Sequence, residues 1–334
     1  MSKTQTKDAS KIDIKKYDKS FLEKLLEQMI LVRRFEEKAG QMYGMKKIGG
    51  FCHLYIGQEA VSTGTIAALD LKSDYVLTGY RDHGHALNCG MDPKSLMAEL
   101  FGKVTGCSRG KGGSMHMFDA EKHMLGGNGI VGGQIPVATG VAFKIKYLGE
   151  KGVVLCYFGD GAIHQGAFHE SLNLAKIWQL PVVYICENNM FGMGTHFERV
   201  SSTSDFAAMG KSYNIQSKQI EGMDVLEVYE GISDLVKSAR EKSEPALLEI
   251  KTYRYKGHSM SDPAKYRTKE ELEAYKKKDP ILILIHQMKE EALIDDNKIE
   301  ELENKAKLLC DEAVEYAEQS EEPPIGTIYE DILV

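Results

Sequence analysis

Two short polar loops carry the residue types best suited to chemistry in this 334-residue chain. Gly159-Asp160-Gly161 follows one continuous apolar run, and Asn188-Asn189 follows the next. Such runs are typical of central parallel strands, and open α/β sheets bind ligands beyond the carboxyl ends of their strands. A carboxylate (Asp160) and a carboxamide (Asn189) suit Mg²⁺ or Ca²⁺ that shares its shell with phosphate and water. The loops therefore indicate a cation and phosphate site, although Gly-Asp-Gly after a strand is also compatible with a plain tight turn.

Composition and charge restrict the class of protein. The chain is 43% hydrophobic and 27% charged, as in ordinary globular proteins, and its formal net charge is −7. An acidic balance argues against general binding of nucleic acid or of an anionic membrane. The longest apolar runs are far shorter than the roughly 20 residues that span a bilayer. The six cysteines form no CxxC pair, and no signal-peptide or transit-peptide pattern opens the chain, so we expect a cytoplasmic protein.

The elements that would hold the two loops form a strand–helix–strand unit. Val153–Phe158, Ala167–Trp178 and Pro181–Cys186 together have the length of a βαβ crossover. We therefore expect an α/β fold with a doubly wound, mostly parallel sheet. Further strands are expected at Tyr75–Thr78, Ile215–Glu221 and Ala246–Tyr253, and further helices at Phe21–Met42, Gln58–Leu69, Gln134–Tyr147, 224–241, Lys269–Lys278, Ile281–Ala292 and Lys298–Gln319.

The same patterns predict three regions along the chain. Residues 1–17 read as a polar, flexible N-terminal arm, 18–264 as the main α/β domain, and 265–334 as a charged helical extension of the same unit. Residues 102–133 are rich in glycine and have few periodic signals, so we expect a long functional loop there. Of the 32 glycines, 25 lie between residues 40 and 166, which indicates backbone close to backbone or to a ligand.

The spacing of the two polar loops resembles the thiamine diphosphate signature, since 26 residues separate Gly161 from Asn188. Other segments, in order, resemble the α subunits of the pyruvate dehydrogenase (acetyl-transferring) component of the pyruvate dehydrogenase complex. The likeness runs from about residue 20 to residue 330. Its segments are Gly50–Ala60 (GFCHLYIGQEA), Gly79–Gly84 (GYRDHG), Gly110–Met117 (GKGGSMHM), Gly126–Gly133 (GGNGIVGG) and Tyr253–Pro263 (YRYKGHSMSDP).

The resemblance implies the thiamine diphosphate-binding fold of the pyrophosphate type, and it implies a metal site. Asp160 and Asn189 would ligate Mg²⁺ together with the main-chain carbonyl of Phe191. This family often has Tyr at the last position, but a carbonyl ligand does not depend on the side chain. The residues that would bind the cofactor itself are Tyr80, Arg81, Gly161, Ala162 and His258 at the diphosphate, and Gly129 and Val131 at the aminopyrimidine.

The resemblance also implies catalytic histidines. His53 would lie near the reacting thiazolium and the substrate, and both His53 and His258 suit proton transfer because imidazole titrates near neutrality. Taken singly, each residue keeps a structural alternative: His53 as a half-buried histidine, Tyr80 as a core residue, and Arg81 with its neighbour as a surface ion pair. Ser259 lies where mitochondrial members of the family are phosphorylated, and a phosphate there would repel the diphosphate.

The activity implied by the resemblance is oxidative decarboxylation of pyruvate with reductive acetylation of the lipoyl group of dihydrolipoamide acetyltransferase, which feeds acetyl-CoA synthesis. In two-chain members the glutamate that activates the aminopyrimidine belongs to the β subunit, and Glu59 is not given that role here. The chain is therefore expected to be inactive alone and to work as α₂β₂. Two alternatives stay open: an α subunit of a branched-chain 2-oxo acid or acetoin dehydrogenase, and a non-catalytic thiamine diphosphate-binding subunit.

Overall fold

The computed structural model of the chain describes residues 12–330 and residue 332. Its strands are β1 (Tyr75–Gly79), β2 (Met124–Asn128), β3 (Val154–Gly159), β4 (Val182–Asn188), β5 (Phe191–Gly192), β6 (Thr195–His196), β7 (Gln216–Glu221) and β8 (Ala246–Lys251). Its α-helices are α1 (Lys19–Gly44), α2 (Glu59–Ile66), α3 (His83–Asn88), α4 (Pro93–Leu100), α5 (Gln134–Leu148), α6 (Gly166–Ile177), α7 (Val225–Lys242), α8 (Lys269–Lys276), α9 (Pro280–Glu290) and α10 (Asp296–Gln319).

Six strands form one sheet in the order β2-β1-β3-β4-β8-β7, and every neighbouring pair is parallel. At its centre β3 and β4 run in register from Val154 opposite Val182 to Gly159 opposite Glu187. Every residue of β4 is buried, and its first five residues, Val182–Cys186, form an apolar run rather than an alternating pattern. β5 and β6 form a separate antiparallel hairpin. The expected parallel α/β sheet is confirmed.

Helices cover both faces of the sheet. Successive strand residues point to opposite sides, so each face has its own apolar side chains to bury. On one side Cys156 and Tyr184 pack with the buried residues of α5 and α6. On the other side Tyr157 and Ile185 pack with residues of α1, α4, α7 and α10. The doubly wound arrangement follows from these two apolar layers.

The three predicted C-terminal helices are confirmed as α8, α9 and α10, and the last two pack on the rest of the chain. Leu22 of α1, Leu284 of α9 and Leu302 of α10 share one buried apolar cluster. Further along α10, Ala313 belongs to the same buried cluster as Leu96 of α4. The division of the chain at residue 264 stays a prediction.

The predicted arm, residues 1–17, is described only from residue 12 onward. There Ile14 is buried, and the hydroxyl of Tyr17 donates to Glu230 of α7 at 2.8 Å. Asp13 accepts a hydrogen bond from the backbone of Lys15 at 3.0 Å and so caps a short 3-10 turn. The last residues of the arm are thus held against α7.

The prediction of a continuous loop over residues 102–133 is wrong in one respect, since β2 lies inside it and forms an edge of the sheet. Its sequence, MLGGN, has neither alternation nor an apolar run. Gly126 in this strand has φ +96, and the ring of Phe118 fills the place that a side chain would need. A backbone constraint of this kind leaves no periodic signal.

Among the helices within residues 12–330, none combines the length and the apolarity needed to cross a membrane.

Candidate active site

A cavity of about 340 Å³ lies at the carboxyl ends of β1, β3 and β4. The chain runs from β1 outward to β2 and then returns to the other side of β1 as β3, so the strand order reverses beside the cavity. Open α/β sheets bind ligands at such a point, and this volume lies within the range of roughly 300–1,000 Å³ of small-molecule sites. The predicted site residues that line it are Tyr80, Arg81, Val131, Asp160, Gly161, Ala162, Asn189 and Phe191.

The predicted metal ligands, Asp160, Asn189 and Phe191, lie together after β3 and β4, and we call them the strand-end group. The carboxyl of Asp160 accepts a hydrogen bond from the backbone of Asn189. The side-chain nitrogen of Asn189 donates to the side-chain oxygen of Gln58 at 3.1 Å, and the side-chain oxygen of Asn189 accepts from the backbone N–H of Phe191 at 3.3 Å. These contacts fix the three oxygen donors relative to one another.

Asp160 is a buried carboxylate, 5% exposed, that forms no ion pair within 4 Å with any described side chain. Burial raises the pKa of Asp160 to about 6, against the opposing effects of the Asn189 backbone and of Arg254. A divalent cation would offset the cost of burying this charge. No three His, Cys, Asp or Glu side chains of the described residues converge as a metal site. A cation here must therefore be completed by amide, carbonyl and phosphate oxygens, a donor set that suits Mg²⁺.

Two buried guanidinium groups give the cavity a positive charge. Arg81 donates to the carbonyl oxygens of Leu54 and His258, the latter at 2.7 Å. Burial and the charge of Arg254 lower the pKa of Arg81 to about 10. Since neither guanidinium is bonded to a carboxylate of residues 12–330, an anion such as a diphosphate would be strongly favoured between them. The groups that accept from Arg254 are likewise neutral: Lys256 O at 3.1 Å, Tyr266 Oη at 2.9 Å and Met193 O at 3.3 Å.

The alternative that Arg81 and Asp82 form a surface pair is wrong. Both side chains are buried, and Asp82 instead accepts a hydrogen bond from the backbone of Met117 at 3.0 Å. Its carboxylate also lies where a side chain at Gly127 would have to go, 2.0 Å from an ideal Cβ. Asp82 therefore holds the glycine-rich segment against the end of β1.

His53, Tyr80 and His258 form a group of rings that we call the histidine cluster. The ring centroid of His53 lies 4.7 Å from that of Tyr80 and 5.1 Å from that of His258, and the Tyr80–His258 distance is 5.5 Å. The Tyr80 ring lines the cavity, and the two histidine rings lie next to the Tyr80 ring rather than in the cavity lining. The Nδ1 atoms of both histidines are buried without a hydrogen-bond partner among the described residues. Such atoms are suited to receive a ligand.

The expectation that both histidines titrate near neutrality is wrong in these surroundings. Burial and the charge of Arg81 lower the pKa of His53 to about 3 and that of His258 to about 4. Both imidazoles are therefore neutral at pH 7, when each can offer one donor and one acceptor nitrogen. An anion bound to the guanidinium groups would reverse part of the shift.

Besides His53 and His258, three other residues named from the sequence lie outside the cavity lining. Gly129 sits between two lining residues, and a side chain there would lie 3.3 Å from His116 Nε2, so its contact with an aminopyrimidine stays a prediction. Glu59 is fully buried and forms an ion pair with Arg33, so its carboxylate is not free for a catalytic role. Ser259, the position that is phosphorylated in mitochondrial members of the family, is buried at 7% exposure.

Sequence reasoning missed several polar residues of the site. Arg254 and Gln58 lie inside the quoted motifs YRYKGHSMSDP and GFCHLYIGQEA, and both line the cavity. Glu187, the last residue before the two asparagines, lines it as well and bonds to the hydroxyl of Tyr55. Their signal was position: each is a polar residue within five positions of an assigned one, Arg254 near His258, Gln58 near His53 and Glu187 near Asn189.

Fold and cavity together define an α/β protein whose switch-point cavity suits an anionic ligand with a divalent cation. The chain belongs to the dehydrogenase E1 component family, which matches residues 27–326. Members of this family depend on thiamine diphosphate.

Three relatives are named pyruvate dehydrogenase E1 component subunit alpha. The protein from Rickettsia bellii is 49% identical over 321 residues, which cover 95% of this chain and 96% of the relative. The protein from Rickettsia felis is 48% identical over 319 residues, 95% of each chain. The protein from Rhizobium meliloti is 46% identical over 334 residues, 100% of this chain and 96% of the relative.

Proposed function

We propose that this chain is the α subunit of a thiamine diphosphate-dependent pyruvate dehydrogenase. With a β subunit it would decarboxylate pyruvate oxidatively and acetylate the lipoyl group of a dihydrolipoamide acetyltransferase. One observation carries the proposal: a buried carboxylate and two buried guanidinium groups line the same strand-end cavity. The family and the names of the relatives support pyruvate as the substrate.

The chain's own residues would divide the binding of the cofactor between them. The strand-end group would hold Mg²⁺ through the Asp160 carboxylate, the Asn189 carbonyl oxygen and the Phe191 main-chain oxygen. When bound, thiamine diphosphate supplies a carbon nucleophile and an electron sink for the loss of carbon dioxide from a 2-oxo acid. The groups that would bind the diphosphate are the side chains of Tyr80, Arg81 and His258 and the backbone of Gly161 and Ala162.

The aminopyrimidine would lie against the turn that contains Gly129 and Val131. Gly132 in this turn has φ +79, in the left-handed region that favours glycine. A side chain at this position would also approach Gln165 at 3.3 Å. The turn can therefore lie close to the end of β3, where the backbone rather than side chains would face the ligand.

The histidine cluster would handle protons next to the reacting carbon. His53 and His258 are neutral, so each can donate from one ring nitrogen and accept at the other. Their unpartnered Nδ1 atoms are the positions where a proton would be held. His53 is buried and the other two rings are partly buried, so the cluster would also help to exclude water from the reaction.

We infer that a β subunit covers the outer side of the cavity. Ile130 and Val131 line the cavity, yet they are 74% and 43% exposed. Glu59 is occupied by Arg33 and by the backbone of Gly57, so the glutamate that activates the aminopyrimidine would come from the partner. An α₂β₂ assembly would complete the site. The six cysteines are free, which supports a reducing compartment such as the cytoplasm.

Co-expression with a candidate β subunit tests this proposal. Purified complex should release carbon dioxide from pyruvate only when thiamine diphosphate and Mg²⁺ are present, and the chain alone should release none. Parallel assays with 2-oxoisovalerate and acetoin test the two related dehydrogenases. A faster reaction with either of these would contradict the choice of pyruvate, and cofactor binding without any turnover would favour a non-catalytic subunit.

A further inference from the structure

The segment that carries His53 belongs to no helix and to no strand. At its ends, the Cys52 carbonyl accepts from the backbone of Met260 and the Ile56 carbonyl accepts from the backbone of Tyr255, both at 2.9 Å. Between these ends the backbone has no ladder to bond with, and buried backbone groups need partners. Side chains from distant parts of the chain supply them.

Two buried side chains hold the backbone on either side of the His53 ring. Ser114 Oγ accepts a hydrogen bond from the His53 N–H at 3.0 Å. Glu36 Oε1, from α1, accepts one from the Tyr55 N–H at 2.7 Å. The residue that carries the ring is thus fixed at its own N–H and two positions later.

A histidine joins these two side chains. His83 Nδ1 lies 2.9 Å from Glu36 Oε2, and His83 Nε2 lies 2.9 Å from Ser114 Oγ. Glu36 and His83 are fully buried, and Ser114 is 4% exposed. The Glu36–His83–Ser114 chain and the backbone from His53 to Tyr55 therefore close into one ring of hydrogen bonds.

Burial opposes the charged form of His83, but the Glu36 carboxylate raises the pKa of this imidazole above its ordinary value. In both protonation states His83 Nδ1–H donates to the Glu36 carboxylate. Nε2 accepts the hydroxyl proton of Ser114 when the ring is neutral and donates to the Ser114 oxygen when the ring is protonated. In each case a lone pair of Ser114 is left for the N–H of His53, so every group in this ring has a partner.

The loop that presents Ser114 is itself fixed by a buried carboxylate. Glu99 of α4 is fully buried and accepts four backbone N–H groups of the glycine-rich loop. Ser114 is therefore not at the end of a free loop, and its hydroxyl has a defined position. The four donors are Ser108 at 2.8 Å, Gly110 at 2.9 Å, Gly112 at 2.7 Å and Gly113 at 3.0 Å.

We propose that Glu36, His83 and Ser114 are positioning residues that hold His53 against Tyr80 and His258. They do not line the cavity, so they would not touch a substrate bound there. They act by fixing the backbone from which the His53 ring projects. The proposal rests on the proposed function, because the catalytic role of His53 is part of that function.

The test combines crystal structures with a double-mutant cycle in the complex with its β subunit. In a crystal of Ser114→Ala without cofactor, the His53 ring should move away from its place 4.7 Å from the Tyr80 ring. In turnover assays Ser114→Ala should lower kcat by about 10- to 100-fold, since small misplacements near the chemistry have effects of that size. The KM for pyruvate and the cofactor Kd should stay within about 2-fold, because the metal and diphosphate ligands are untouched.

A second background separates positioning from a general structural role. In a His53→Ala chain, adding Ser114→Ala should cause no further loss of kcat, because the residue that Ser114 positions is gone. Ser171→Ala is the matched control, since Ser171 is a 2% exposed serine on α6 outside this ring, and it should leave kcat unchanged. Glu36→Gln is a milder second variant. Its amide oxygen still accepts from the Tyr55 N–H, whereas the nitrogen that replaces Oε2 cannot accept from His83. Because one of the two contacts survives, kcat should fall less than in Ser114→Ala.

Two results would overturn the proposal. One is a Ser114→Ala crystal with the His53 ring in place and kcat unchanged. The other is an equal loss from Ser114→Ala with and without His53. Failure of the proposed function looks different: if His53→Ala leaves turnover intact while Ser114→Ala still displaces the ring, His53 is positioned as proposed but is not catalytic.

Discussion

The strand-end group and the histidine cluster occupy neighbouring parts of one site, yet the chain builds them in opposite ways. Asp160 and Asn189 follow β3 and β4 directly, so the parallel sheet brings them together. His53 and His258 lie on segments without regular structure, whose backbone is held by side chains such as Arg81. The first arrangement depends on strand register, and the second depends on buried polar contacts.

The difference assigns different tasks and different vulnerabilities to the two regions. The carboxyl ends of hydrogen-bonded strands are stiff, which suits a metal and diphosphate site whose ligands must keep fixed distances. A segment held by side chains can be displaced by a single substitution far from the cavity. Changes in the strand-end group should therefore affect cofactor affinity, and changes around the histidine cluster should affect turnover.

The largest expected effect is that of Asp160→Ala on cofactor affinity. Removal of the buried carboxylate takes away a proposed Mg²⁺ ligand, and affinity for thiamine diphosphate in the presence of Mg²⁺ should fall by at least about 100-fold. Titration calorimetry of the complex measures this. Asp234→Ala, an exposed position on α7, is the control and should bind normally. Normal Mg²⁺-dependent binding by Asp160→Ala would remove the strand-end group from the metal site.

The second expected effect is a loss of turnover without a loss of cofactor affinity. His53→Ala should lower kcat by about 100-fold, the lower end of general acid–base contributions, with cofactor affinity nearly unchanged. Steady-state kinetics and calorimetry on the same preparation give both numbers. His286→Ala, an exposed histidine on α9, serves as the control. A loss of cofactor affinity as large as that of Asp160→Ala would erase the distinction between the two regions.

Arg81 should show an intermediate profile, because it belongs to both regions. It lines the cavity and also bonds to carbonyls beside His53 and at His258. Arg81→Met should therefore lower cofactor affinity and kcat together, each by about 10-fold, in line with the loss of charged hydrogen bonds. Calorimetry paired with turnover measurements would detect both changes. An effect on only one of the two would show that Arg81 serves a single region.

The smallest expected effect concerns pH and stability. The pKa of His53 is about 3 in the folded chain, below its ordinary value near 6.5. As pH falls from 7 to 5, the unfolded chain gains a proton at this position and the folded chain does not, so the free energy of unfolding falls. His53→Gln lacks this contribution, and its stability relative to the wild type should improve by about 1 kcal/mol as pH falls from 7 to 5.5. Melting temperatures of the cofactor-free complex at several pH values test this; parallel curves for the two proteins would contradict it.

The same comparison explains how much the sequence could predict. The apolar runs of β3 and β4 are local signals, and they predicted that Asp160 and Asn189 lie together at the carboxyl ends of two neighbouring strands. The polar residues that hold His53 leave no such signal, because Ser114 and Glu36 bond to backbone 61 and 19 residues away. The strand β2 was missed for a related reason, since its glycines serve close packing rather than an apolar face. Motif resemblance placed the histidines and Arg81 at the cofactor, but not the burial that, together with the charge of Arg81, lowers the histidine pKa values.

A crystal structure of the complex with the β subunit, thiamine diphosphate and Mg²⁺ tests the account most directly. We predict Mg²⁺ at about 2.0–2.1 Å from Asp160, from the Asn189 side-chain oxygen and from the Phe191 carbonyl oxygen. The diphosphate should lie between this ion and Arg81, with the His53 ring next to the thiazolium. A cofactor bound elsewhere on the chain, or a metal ion without Asp160 and Asn189 among its ligands, would contradict the account.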